Sequence, residues 1–205
     1  MRLISVNVAL PVNGTAIGKQ PVAGPVAVTA EGLAGDGVGS PKHHGGPDQA
    51  AYAYGTNDYA WWSAELGREL EPATFGENLT IEGLESGGCS IGDRLATGSA
   101  VFEVTAPRIP CGTLARRMGD TRFIRRFRDA RRPGLYLRVL EPGTVTAGDA
   151  VTLTPAPAGA LPLLELQDLF YARHVPRARI ERALAAPVSI RDRIYLERQL
   201  AKVRS

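Results

Sequence analysis

The sequence is poor in the residues that usually build metal and redox centres. Only two cysteines, Cys89 and Cys111, and three histidines occur in 205 residues. Two thiols are too few for a Cys-only structural zinc site. There is no CxxC pair, no haem motif and no GxGxxG following a strand, so nothing points to a thioredoxin-type, haem or flavin centre within the chain. Long apolar runs are missing as well, which excludes a membrane-spanning helix. The N-terminal stretch "MRLISVNVALPVNG" lacks the long apolar region and small-residue cleavage site of a secretory signal. The chain is therefore expected in the cytoplasm, with its thiols reduced. Strong charge of either sign is absent too. A net charge of +3 admits anionic ligands but falls short of a nucleic-acid arm. No repeat of 20–50 residues and no low-complexity segment stands out.

What is present reads mostly as β-structure. Hydrophobic residues make up 44% of the chain, enough for a packed core. The 23 glycines and 15 prolines break the first 160 residues into short alternating apolar runs. Residues 2–10 place Ile4, Val6, Val8 and Leu10 on one face. Further strand-like runs fall at 25–29, 100–105, 135–140 and 150–154. Gly92-Asp93 and Gly148-Asp149 each precede a strand-like segment, as a tight turn would. Helical patterns interrupt at 56–70, with Thr56 or Asn57 as cap, and at the arginine-dominated stretch 113–132. Of the two tryptophans, Trp61 and Trp62, at least one is expected in the core. Beyond residue 161 the glycines vanish and three helices are predicted, the last opened by Ser189 and Asp192 in capping-box spacing. The expected organisation is a β-barrel domain over 1–158 and a three-helix module over 159–205.

Two segments carry chemistry. In "PKHHGGP" (41–47), Lys42 supplies a fixed charge, and His43 and His44 supply donors that an anion would protonate. Gly45 and Gly46 free the backbone to reach positive φ and turn its amides toward an oxyanion. Two adjacent histidines seldom aim both rings at one ion, so zinc is disfavoured. In "PRIPCGTL" (107–114), Cys111 sits between a strand-like run and helix formers, with Arg108 upstream. Both features favour a thiolate, which acts as a nucleophile or as a soft-metal ligand. Glu77 and Asn78 in "FGENLTIEGL" mark a third, weaker segment, which on its own reads as a turn. Cys89 reads as structural, and His174 as exposed on the helical tail.

The segments "GLAGD" (32–36), "KHHGGPDQAAYAY" (42–54), "FGENLTIEGL" (75–84), "CSIGDRLATG" (89–98) and "PRIPCGTL" occur in an order that resembles the MOSC domain family. That family is named for the C-terminal part of molybdenum cofactor sulfurases, and the likeness is greatest to its small bacterial YiiM-type members. The resemblance covers nearly the whole chain. It implies a mainly-β fold, a barrel with flanking helices, followed by a three-helix module. It also implies that Cys111 is the family's functional cysteine, which binds the molybdenum of molybdopterin or carries sulfur. Lys42, His43, His44 and Arg108 would form the basic part of the pocket, and Glu77 and Asn78 would meet the pterin edge. The implied activity is reduction of N-hydroxylated compounds, including N-hydroxylated base analogues. Cys111 would be the metal ligand, with Lys42 or His44 as proton donor. A separate electron-donor reductase is then required, and the arginine run is a candidate docking face. Some relatives carry an N-terminal β-domain that helps enclose the cofactor; its absence here suggests a homodimer. Two other readings stand beside this one. One is a carrier that holds the cofactor or a persulfide on Cys111 without turnover. The other is a Cys-His hydrolase or transferase, with His43 or His44 as base.

Overall fold

The computed structural model describes residues 1–39 and 45–203. Eight strands form one mixed sheet, and the alternation of their side chains divides the molecule into two cores. In chain order the elements of the first half are β1 (Arg2–Val8), β2 (Gln20–Pro21), β3 (Val26–Thr29), β4 (Gly32–Leu33), β5 (Ala51–Gly55), α1 (Thr56–Leu66), β6 (Leu79–Glu82) and β7 (Arg94–Thr97). They are followed by β8 (Ala100–Pro107), α2 (Gly112–Met118), α3 (Phe123–Ala130), β9 (Leu135–Glu141), β10 (Gly143–Val145) and β11 (Val151–Thr154). The chain ends in α4 (Leu163–Tyr171), α5 (Arg177–Ala185) and α6 (Ile190–Val203). The large sheet runs β11-β7-β8-β9-β5-β6-β1-β2, and β10-β3-β4 form a smaller one. Among the described residues only β5 and β6 pair in parallel, which α1 makes possible by carrying the chain back between them.

The expected barrel closes incompletely. β1 and β11 meet through one antiparallel bridge, Arg2 to Ala150, and three backbone hydrogen bonds instead of a full ladder. The mainly-β class with flanking helices holds. The predicted face of the first strand does not. A register shift between Leu3 and Ser5 breaks the alternation, so that Leu3 joins Val6 in the core while Ile4 is exposed, and Leu10 is exposed beyond the end of the strand.

β5 shows how the sequence serves both cores. Ala51 and Ala53 face the sheet-enclosed core, and Tyr52 and Tyr54 face an aromatic core beneath α1, α2 and α3. Period-two alternation with small and large residues therefore fills both sides of one strand. Trp62, Phe75, Phe123 and Phe127 complete the aromatic core, all fully buried, whereas Trp61 is partly exposed. Helix α1 is capped by Gly55 and not by Thr56 or Asn57. A Cβ at Gly55 would lie 1.9 Å from the Leu84 carbonyl oxygen, and the Thr56 hydroxyl instead accepts from Gly83 N.

The arginine-rich stretch forms two helices because Gly119 adopts a left-handed conformation (φ 67°) and ends α2. Gly92 and Gly148 also have positive φ, as the predicted Gly-Asp turns require. The three C-terminal helices appear where expected, and Asp192 N donates to the Ser189 hydroxyl at 3.2 Å. Leu163, Leu166, Leu169, Ile180 and Leu196 join the same core as the sheet.

Candidate functional site

Beside β5, where β8 runs into α2, the fold leaves a cavity of about 480 Å³. Its wall includes Cys111, Arg108, Asn78, Gly45, Lys19, Asp36, Tyr52 and Tyr136. Segments far apart in the sequence thus converge there.

Cys111 occupies the N-cap position of α2, half-buried, and its carbonyl accepts from Leu114 N and Ala115 N. Its backbone is extended (φ −124°, ψ 168°), the bend that turns a strand exit into a helix. Cys89, by contrast, is buried in the sheet core. Burial, with the charges of Asp93 and Asp58, pushes its thiol up to about 12, so it is chemically quiet.

Arg108 is 5% exposed. It donates to the Phe75 carbonyl and lies 5.0 Å from the centroid of the Tyr52 ring. Burial disfavours its charge, while Tyr52, Tyr136 and the Cys111 sulfur favour it strongly enough to raise its pKa. Burial also raises both phenols, so at neutral pH neither supplies a full negative charge. Among the described residues no carboxylate pairs with Arg108, and its buried Nε has no hydrogen-bond partner. A buried cation in that position is costly until an anion arrives.

Lys19 and Asp36 were not singled out by sequence reasoning. They form a close, buried ion pair in the cavity wall. Desolvation lowers the Lys19 pKa, against the opposing pull of Asp36. Asp36 also accepts from Ala9 N at 2.9 Å and from Asn78 Nδ2 at 2.8 Å. The sequence signal for Asp36 is the "GLAGD" segment that it closes; nothing local marks Lys19.

Asn78 reaches the cavity, but its polar groups are engaged by the protein. Nδ2 donates to Asp36 and to the Asn7 carbonyl, and Oδ1 accepts from Tyr52 N. Glu77 lies outside the cavity lining. It lies in the loop before β6 and is fully buried, with Oε1 accepting from Tyr59 OH, Ala73 N and the Thr80 hydroxyl. The geometry makes Glu77 a strut of the "GENL" turn, whereas the pocket role expected of it requires a place in the cavity lining, where it is not found. Gly45 (φ 75°) lines the cavity, and a Cβ there would lie 2.7 Å from a Val38 methyl. Gly46 (φ 88°) sits just outside the lining, and its carbonyl accepts from Gln49 N. Lys42, His43 and His44 lie outside the described residues. Among the described residues, no cluster of three or more His, Cys, Asp or Glu side chains could hold a metal.

The sequence model of the MOSC domain matches residues 40–152. The chain belongs to the MOSC domain family. The "Uncharacterized protein YflK" of Bacillus subtilis is 39% identical over 134 residues, 65% of this chain and 61% of that protein. A protein named "Reductase" from Gibberella moniliformis is 34% identical over 165 residues, 78% of this chain but 29% of that protein. The chain thus spans less than two thirds of these curated relatives. The crystal structure of YiiM from Geobacillus stearothermophilus superposes with a TM-score of 0.82 at 27% identity, covering 97% of this chain and 98% of that one. This MOSC protein is accordingly of the YiiM type. Among its described residues no helix is long and apolar enough to cross a membrane.

Proposed function

We propose that this MOSC protein binds the molybdenum cofactor in the Cys111 cavity and reduces N-hydroxylated compounds. The observation that carries the reading is the pairing of Arg108 with Cys111 in one wall. A half-buried sulfur suits a soft metal, and a buried guanidinium lacking a carboxylate suits an anionic ligand. A dithiolene pterin with a terminal phosphate brings both. The cavity volume falls in the range of small-molecule sites, about 300–1,000 Å³. The reductase name of one relative agrees with the reaction class.

When bound, the cofactor supplies a two-electron metal centre able to accept oxygen from an N–OH group. The chain's own residues do the rest. Cys111 would hold the metal as a thiolate, and Arg108 would neutralise the ligand's negative charge. Gly45 lets the backbone approach closely, and His43 would back the anion. Lys42 or His44 would protonate the departing oxygen. The Lys19–Asp36 pair, braced by Asn78, keeps this wall rigid. The net change is R–NH–OH + 2H⁺ + 2e⁻ → R–NH₂ + H₂O.

The test compares wild type with Cys111→Ser, both made in a host that synthesises the cofactor. Near-stoichiometric molybdenum and fluorescent oxidised pterin are expected in wild type, with the metal lost in the variant. Wild type free of both metal and pterin would overturn the reading. Full loading without turnover of any N-hydroxylated purine would make the protein a carrier.

A further inference from the structure

We infer that the face around α3 docks an acidic electron-donor protein that carries a flavin or iron–sulfur centre. The inference rests on the reductase reading, because the two electrons in the net reaction must come from outside the chain.

Most of the arginine run is already engaged. Arg117 donates to the carbonyls of Thr74 and Ala73. Arg126 pairs with Asp120 at 3.1 Å and Glu65 at 3.3 Å, and Arg131 with Asp168 at 2.7 Å. Arg132 spans Asp58 at 2.8 Å and Glu85 at 3.0 Å. These contacts staple α2 and α3 to the body. Arg125 has no carboxylate partner among the described residues. Arg122 meets one only at 3.8 Å, with its side chain 76% exposed.

These two cations surround an apolar centre. A shallow depression of about 330 Å³ is lined by Thr121, Arg122, Ile124, Arg125, Arg128 and Tyr171. Ile124 is 40% exposed, and the Arg128 guanidinium lies 5.4 Å from the centroid of the Tyr171 ring. Phe123 and Phe127 fix the opposite side of the helix in the aromatic core, so the outward face is held rigid. An apolar and aromatic centre ringed by arginine has the composition of a protein interface. Its cations match an acidic rim on the partner. A single patch of this size fits a transient electron-transfer encounter, the smallest class of specific interface. A nucleic acid is a poorer occupant, because one tyrosine offers little stacking surface. The face follows α2, the helix that Cys111 caps, directly in the chain.

The experiment uses cofactor-loaded protein and two electron sources: the hydroquinone of an acidic flavodoxin, and chemically reduced benzyl viologen, which needs no docking face. Arg122→Glu/Arg125→Glu is compared with wild type, and Arg122→Gln/Arg125→Gln supplies the charge-neutral case. Both side chains are exposed, and circular dichroism verifies folding. With flavodoxin, kcat/KM for the donor is expected to fall about tenfold or more in the Glu variant and less in the Gln variant. The wild-type flavodoxin rate should drop steeply between about 50 and 200 mM salt. Viologen-driven reduction should be unchanged in every variant. Equal flavodoxin rates in wild type and the Glu variant would overturn the inference. So would a wild type that accepts electrons from viologen alone, or an effect of the variants confined to binding of a single-stranded RNA probe. Failure of both donors with loaded wild type would instead sink the reductase reading, and the docking inference with it.

Discussion

Asn78→Asp changes one atom type and should nearly unfold the protein. The Asn78 amide group donates to Asp36 at 2.8 Å and to the Asn7 carbonyl at 3.2 Å, while Oδ1 accepts from Tyr52 N at 3.1 Å. Aspartate keeps the last of these and loses both donors. The lost bond to a carboxylate is worth about 2 kcal/mol and the bond to the neutral carbonyl about 1 kcal/mol. Two carboxylates then face each other at hydrogen-bond distance. Their repulsion would be about 4 kcal/mol at an effective dielectric of 20, and the Lys19 ammonium beside Asp36 offsets about half of it. The expected loss is about 3–6 kcal/mol at pH 7.5, against a total stability of about 5–15 kcal/mol for a typical protein. The melting temperature should fall by about 10 °C or more. Acid provides the second readout. The introduced carboxyl has its folded-state pKa raised by its neighbour, so the penalty is present at high pH and is relieved as pH falls through that pKa. Urea unfolding at pH 7.5 and pH 5 should therefore show the variant converging on wild type. A loss below about 1 kcal/mol, or one independent of pH, would refute the view that Asn78 is an interstrand clamp.

Asp192 should shape the pH dependence of stability. Burial pushes its carboxyl up to about 7, helped by Asp48 and opposed by Ser189 and Arg191. A raised acid pKa in the fold favours the folded state at low pH, and that advantage is lost as pH rises from about 4 to about 7. Asp192→Asn should flatten this slope and stabilise the protein at pH 8 by at most about 4 kcal/mol; parallel wild-type and variant curves in urea would disprove it. Iodoacetamide at pH 7.5, read by mass spectrometry on native protein, should label Cys111 and spare Cys89, whose thiol is buried and held near 12. Phe127→Ala should cost about 3–5 kcal/mol, since the ring is fully buried against Trp62 and Phe123. A small loss there would mean that α3 is not anchored by its aromatic face.

The strands at 26–29, 100–107, 135–141 and 151–154, the Gly-Asp turns and the three terminal helices were legible because each depends on residues close in sequence. Alternation, positive-φ glycines and capping spacing are local properties. The placement of Cys111 at a helix start was legible for the same reason. The tertiary structure decided what depends on partners far along the chain. The shift between Leu3 and Ser5 arises in pairing with β6, and it sends Ile4 outward. Glu77 and Asn78 are neighbours in the loop before β6, and only their tertiary partners, Tyr59 and Thr80 for Glu77 and Asp36 and Tyr52 for Asn78, fix which of them meets the cavity. Lys19 and Asp36 become a pair only once their separate segments fold against each other, with Asn78 donating to Asp36 from the loop before β6. The arginine run shows the same division. Its charge is written in the sequence, and Asp120 pairs with Arg126 locally, but Glu65, Asp168 and Asp58, which pair with Arg126, Arg131 and Arg132, come from distant segments that only folding assembles.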